Sequence, residues 1–192
     1  MKAKKIEVRF IKLGIDGFDV IDDGIGIDEK DFANLCKTLP NRERNEIYKS
    51  RSLGYMGETL YSLCKSSDVK IFTRHASSLH GFKLIYNSEG DLVNKIKIEK
   101  EDVGTTVEVR SLHKINPKSS FVFKKYIKEM YENATNHLSM YSFILKDVAL
   151  AVTIQLGQTA KDLELGRKTI KTYWVKPAHS DLKANIGRIL KN

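Results

Sequence analysis

The chain has 192 residues, 41% of them hydrophobic and 30% charged, which is the composition of a globular protein large enough to bury a core of its own. Its 33 Lys and Arg against 24 Asp and Glu leave a net charge of +9, a balance that favours polyanionic partners and equally describes a solvated Lys-rich surface. No apolar run reaches the length of a membrane span, the start from Met1 to Glu7 is not a signal peptide, and two cysteines are too few for a disulfide scaffold, so the expectation is a soluble, intracellular protein with no membrane partner.

In chain order, Ile6 to Lys12 alternates apolar and polar residues, Gly14 to Gly17 supplies a turn, and Phe18 to Ile21 follows as a second strand. This predicts a hairpin at the start. Asp28 is placed to cap a short helix carrying Phe32, Leu35 and Cys36 on one side. The polar stretch from Thr38 to Ser52, with Pro40, reads either as a lid beside a ligand site or as an inserted surface loop. It leads into Gly54-Tyr55-Met56-Gly57 and a helix from Glu58 to Ser66 with Leu60, Leu63 and Cys64 on one face.

Asp68–Arg74, Gly81–Tyr86, Leu92–Glu99 and Gly104–Arg110 then read as four strands of an antiparallel meander. A long amphipathic helix is predicted from Ser119, with Phe123, Ile127, Met130, Ala134, His137, Leu138 and Tyr141 on its apolar side. Val148–Ile154 and Lys168–Trp174 are further strands, and residues 179–192 form a helix that the terminus cuts short. Cys36 and Cys64 both lie in apolar helical context and are expected as buried free thiols. His75 and His80 flank a turn and read as solvated side chains.

Antiparallel strands interleaved with helices predict an α+β fold: a two-layer sandwich of a mixed, mostly antiparallel sheet with helices on one face. The glycine spacing is not that of a dinucleotide-binding turn, there is no phosphate loop with its Gly-Lys-Ser/Thr ending, and no Gly-x-Ser-x-Gly elbow favours a serine hydrolase. Two distant cysteines and scattered histidines give a zinc site no support.

The informative pattern is the ordered set Asp22-x-Gly24-x-Gly26 at the end of an apolar strand, a polar segment, Gly54-x-x-Gly57-Glu58-x-Leu60 at a helix start, a meander, and Gly104-Thr105-Thr106-Val107. Each piece alone is weak, since Asp and Gly occur in any turn. Together and in this order they resemble the GHKL (Bergerat-fold) ATPases, the group of gyrase, Hsp90, histidine kinases and MutL. Ser62-Leu63-Cys64, Ser67-Asp68-Val69, Gln155-Leu156-Gly157-Gln158 and Asn185-Ile186-Gly187 are similar to the eukaryotic PMS branch of the MutL mismatch-repair proteins.

The resemblance implies an ATP site with Asp22, Gly24, Gly26, Gly54, Gly57, Glu58, Thr59, Leu60 and Thr105 as its residues, and residues 1–178 as the GHKL-like domain. Asp22 would accept a hydrogen bond from the adenine amino group, Gly24 and Gly26 would let the base lie against the main chain, and Thr105 would reinforce the aspartate. The N–H groups of Glu58, Thr59 and Leu60 would face the phosphates. Mg²⁺ is expected as the companion of ATP, and a MutL-family partner subunit, a MutS-family mismatch-recognition complex, DNA and a nuclear location follow for the complete protein.

Departures from the family pattern accompany the likeness. The helix that carries the water-activating glutamate and the Mg²⁺-binding asparagine would precede this chain's first strand, so no residue here is assigned a catalytic or metal role. Asp23 stands where asparagine is usual, Met56 replaces an arginine, Thr59 replaces an alanine, and Asn116-Pro117-Lys118 matches the Asn-x-Pro-Ala-Arg segment only in part. These leave open an ATPase-inactive domain that serves as a DNA-binding or partner-binding module. A histidine-kinase-like or Hsp90-like ATPase shares Asp22 and the glycines but leaves the later motifs unexplained.

Overall fold

The computed structural model describes residues 3–37, 58–112, 148–155 and the backbone of 170–176, together with residues 129, 132–134, 136–138, 140 and 141. The expected lid, Gly54, Gly57, the Asn116 segment, most of the long helix and the terminal helix of 179–192 lie outside the described residues.

β1 (Lys5–Ile11) and β2 (Gly17–Asp22) form the expected antiparallel hairpin, joined through a 3-10 turn at Lys12–Gly14, with Val8 opposite Val20. Alternation places Phe18, Val20 and Asp22 on one face of β2, and the same parity continues in every neighbouring strand. A 3-10 helix spans Glu29–Asn34, where Asp28 accepts a hydrogen bond from the Lys30 N–H at 3.2 Å. The predicted cap is therefore present, but the turn is tighter than an α-helix and drives Phe32 inward, 2% exposed. α1 (Glu58–Ser66) has the predicted bounds and buries Cys64.

β3 (Asp68–Arg74), β4 (Gly81–Tyr86), β5 (Leu92–Ile98) and β6 (Gly104–Arg110) follow, then β7 (Ala149–Gln155) and β8 (Ile170–Lys176). They make one eight-stranded sheet in the order β5-β4-β3-β6-β2-β1-β7-β8. The β1–β7 pairing is parallel and the other six are antiparallel. The mixed, mostly antiparallel sheet of the α+β expectation is thus the observed one.

The meander stops at β5. β6 does not continue beside β5 but inserts between β3 and β2, with Val107 opposite both Ile71 and Val20. The physical reason lies in the side chains: Val93 to Lys97 are all exposed, with Asn94, Lys95 and Lys97 among them, which suits a sheet edge. β6 brings Thr105 and Val109 to buried positions, 7% and 0% exposed, and belongs inside the sheet.

The apolar face of β3 and β4 carries the core. Val69, Ile71, Leu84 and Tyr86 pack there with Phe32 from the 3-10 helix, Cys36 from the turn after it and Cys64 from α1, and Leu60 and Leu63 seal the helix onto the same cluster. Full burial of side chains such as Ile71 and Leu84 contributes about 1.5–3 kcal/mol each. The Tyr86 hydroxyl donates to the Phe32 carbonyl at 2.8 Å, tying the 3-10 helix to β4. Both cysteines are free and buried, as expected. The opposite face of β1, β2 and β7 carries charge instead: Glu7 accepts from Arg9 and Thr153, and Arg110 meets the buried Asp19 at 2.6 Å.

Residues 129, 132–134, 136–138, 140 and 141 are helical, as the long helix requires. Ala134 and Leu138 are half-buried, but His137 and Tyr141, expected on the apolar side, are exposed.

Candidate functional site

The site begins where β2 ends. The Gly24 N–H donates to Asp22 Oδ1 at 2.8 Å, a two-residue Asx turn that fixes the carboxylate at the strand end. A Cβ on Gly24 would lie 2.8 Å from that same oxygen. Gly24 is thus needed by the aspartate itself, whatever ligand approaches.

Gly26 has a different constraint. Its φ is +73°, and a Cβ there would stand 2.0 Å from the Arg74 carbonyl oxygen. The glycine loop lies directly on the end of β3: the Ala76 N–H donates to the Ile25 carbonyl at 2.8 Å and the Ile27 N–H donates to Thr73 Oγ1 at 2.9 Å. Gly104 makes the third close approach, at φ +130° with a Cβ position 2.2 Å from the Asp22 carbonyl oxygen. These contacts need glycine because both the backbone angle and the space forbid a side chain.

Burial pushes the Asp22 carboxyl above its ordinary value. The Gly24 and Thr105 N–H groups oppose that shift, the charge of Asp23 adds to it, and Lys100 weakly counters it. A half-buried carboxylate of raised pKa at the rim of an apolar core is a candidate functional group. Asp23, which stands where the resemblance expects asparagine, has a structural role, since its Oδ1 accepts from the Lys4 and Lys5 N–H groups at 2.7 and 2.8 Å. It pins the start of β1 to the end of β2.

Thr105 sits opposite Asp22 on β6, and Thr73 sits opposite Thr105 on β3. The two hydroxyls are 3.1 Å apart. Thr73 was not among the residues singled out from sequence, although a signal exists. It continues the inward series Val69, Ile71, Thr73, and a polar residue in that series is one that the core must satisfy.

Glu58, Thr59 and Leu60 are the first described residues of α1. A cleft of about 440 Å³ runs along Glu58, Thr59, Ser62, Leu63 and Ser66. A second cavity of about 250 Å³ lies beyond the glycine loop, lined in part by Ile27, Asp28, Phe32 and His75. His75 Nδ1 is 2.7 Å from Ser77 Oγ, within its own turn. The sequence-derived residues therefore fall into two described groups, Asp22, Gly24, Gly26 and Thr105 around the end of β2, and Glu58 to Leu60 at the start of α1. No group of three or more His, Cys, Asp and Glu able to hold a metal occurs among the described residues, and none of their helices is long and apolar enough to cross a membrane.

No family model matches the chain. Among solved structures, one described as the N-terminal domain of a DNA repair protein superposes with a TM-score of 0.79 at 24% identity over 96% of this chain and 50% of that one. The ATPase domain of MutL from Aquifex aeolicus complexed with ADP superposes with a TM-score of 0.67 at 19% identity, over 99% of this chain and 62% of that one. The fold is therefore that of a GHKL-type MutL ATPase domain. In sequence, the chain is 32% identical over 159 residues to human mismatch repair endonuclease PMS2, covering 81% of this chain and 18% of that protein. The chain is a homologue of the PMS and MutL DNA mismatch-repair proteins, and it spans under a fifth of the length of the PMS2 relative.

Proposed function

We propose that this chain is the ATP-binding domain of a MutL-family, PMS-like mismatch-repair protein, residues 1–178 forming that domain and 179–192 its junction with a following one. The observation that carries the reading is the Asp22 carboxylate, half-buried, held from one side by the Gly24 N–H and set in a fold shared with an ADP-bound MutL ATPase domain. Asp22 accepts from the adenine amino group, where guanine presents a carbonyl oxygen and is repelled. Gly24 and Gly26 bring main chain against the base, and Thr105 supports the aspartate. The phosphates face the second glycine turn, Gly54 and Gly57, and the N–H groups of Glu58, Thr59 and Leu60.

ATP binding and hydrolysis in the complete protein then drive closure with a MutL-family partner subunit around DNA, in concert with a MutS-family complex, in the nucleus. Mg²⁺ accompanies ATP.

Equilibrium displacement of a fluorescent ATP analogue tests the site. ATP should compete and GTP should not, and Asp22→Asn should abolish the preference. No displacement by millimolar ATP would sink the reading. A second reading, an ATPase-inactive module for DNA or a protein partner, draws on the net charge of +9. It predicts DNA affinity that falls steeply with salt and ignores ATP.

A further inference from the structure

We infer that Arg74 is a positioning residue for the nucleotide site: its guanidinium ties together the two loops that hold Asp22 and the glycine loop in place. The inference rests on the ATP-site reading above and concerns a side chain that does not itself touch the nucleotide.

The main chain at the end of β3 is the platform on which the glycine loop lies. The Arg74 carbonyl oxygen excludes a Cβ from Gly26, at 2.0 Å, and the Ala76 N–H reaches the Ile25 carbonyl at 2.8 Å. Arg74 also pairs with Gly104 of β6, where a Cβ would stand 2.2 Å from the Asp22 carbonyl oxygen. Two connections therefore have to be fixed beside Asp22. One is the turn from β3 to β4, which carries Ala76, and the other is the loop from β5 to β6, which delivers Gly104.

The Arg74 side chain reaches both. Its Nη1 donates to the Ser78 carbonyl at 3.3 Å, and its Nη2 donates to the Glu101 carbonyl. In the second loop the Lys100 ammonium donates to the Asp102 carbonyl at 2.7 Å, a bond internal to the loop. Among the described side-chain hydrogen bonds, the one from Arg74 is what joins this loop to another element. A planar guanidinium suits the task because its two terminal nitrogens reach acceptors on separate segments at once, which a point-like ammonium on a flexible stem does not. The Arg74 Nε is buried without an acceptor among the described residues. An unpaired buried donor costs free energy that a hydrocarbon side chain would not, and the joining of two loops is what offsets it.

With the guanidinium in place, Ala76 stays on Ile25 and Gly104 stays against Asp22, so the main chain that faces adenine is formed before the nucleotide arrives. Without it, binding has to order both loops, and that ordering appears as weaker affinity.

The test measures competitive displacement by ATP for the parent chain, Arg74→Met and Arg74→Lys, at a temperature where circular dichroism shows each to be folded. Both variants should bind ATP about tenfold more weakly, the worth of one ordinary hydrogen bond. Methionine donates to neither carbonyl, and lysine keeps the charge but not the fork. Amide exchange followed by NMR should show the Ala76 and Ile27 protons, which fasten the glycine loop to the end of β3, exchanging faster in both variants. If the methionine variant does not fold, the lysine variant carries the test alone. Parental affinity in a folded methionine variant, parental affinity in the lysine variant, or weakened affinity with unchanged exchange at Ala76 and Ile27 would each overturn the inference while leaving the ATP site standing. Absence of ATP binding by the parent chain would overturn the site itself, and this inference with it.

Discussion

Asp22 is the residue on which burial and function pull in opposite directions. Burial raises its pKa above 3.8, so the native chain takes up a proton at a higher pH than the unfolded chain does. As pH falls through the raised value, the ligand-free protein therefore gains stability relative to an unshifted aspartate, whereas it loses the ionised acceptor that the proposed adenine contact uses. ATP affinity should weaken on acidification beginning above 3.8, and Asp22→Asn should remove that pH dependence. Titration of the dissociation constant across this range checks it. Gly26→Ala should cost at least about 2 kcal/mol in urea denaturation, because a positive φ and a backbone clash are imposed together. The pattern Asp-x-Gly-x-Gly made these residues visible in the sequence. Their reasons were not, since the atoms that exclude a Cβ from Gly26 belong to Arg74 and His75, far along the chain at the end of a strand whose pairing is not local.

The elements were legible wherever their signal is local. β3, β4, β6 and α1 have the bounds their alternation and turn residues predict. The segment after Asp28 was read as helical in spacing and is a 3-10 helix, because its burial is decided by the Phe32 and Cys36 contacts with β4 and α1 rather than by propensity. Tyr86 is the clasp of that arrangement. Tyr86→Phe should cost about 1–2 kcal/mol by leaving the buried Phe32 carbonyl without its donor. Burial also holds the Tyr86 hydroxyl above its ordinary 10.0. A raised folded-state value means that this group's contribution is complete below the unfolded value and is lost as pH climbs above it. Stability of the parent chain should accordingly decline above about pH 10, and the phenylalanine variant should show a shallower decline in the same alkaline melts. The neighbouring Cys64 thiol and burial together lift the Cys36 thiol, and Cys36 in turn lowers that of Cys64. With both buried, neither should react with a thiol reagent at neutral pH until denaturant opens the core, a result that labelling followed by mass spectrometry would read directly.

For the molecule as a whole, the decisive event is the return of the chain after a long excursion to lay β7 parallel against β1. Leu150 and Val152 are 2% and 1% exposed there, and β1 would otherwise be an open sheet edge. A chain ending at residue 147 should therefore lose cooperative thermal unfolding and associate through the uncovered β1, which circular dichroism melts and light scattering would detect. The amino-acid sequence by itself determined the strands, the α1 helix, the α+β class, the free thiols and the order of the glycine motifs, because alternation, turn chemistry and apolar spacing act over a few neighbouring residues. Only the tertiary structure decided that β6 slips between β2 and β3, that Asp23 holds β1, and that Thr73, Thr105 and Asp22 stand in one row. Those outcomes depend on register between strands far apart in the chain, where one residue of slip turns every side chain to the other face, and no local pattern encodes that choice.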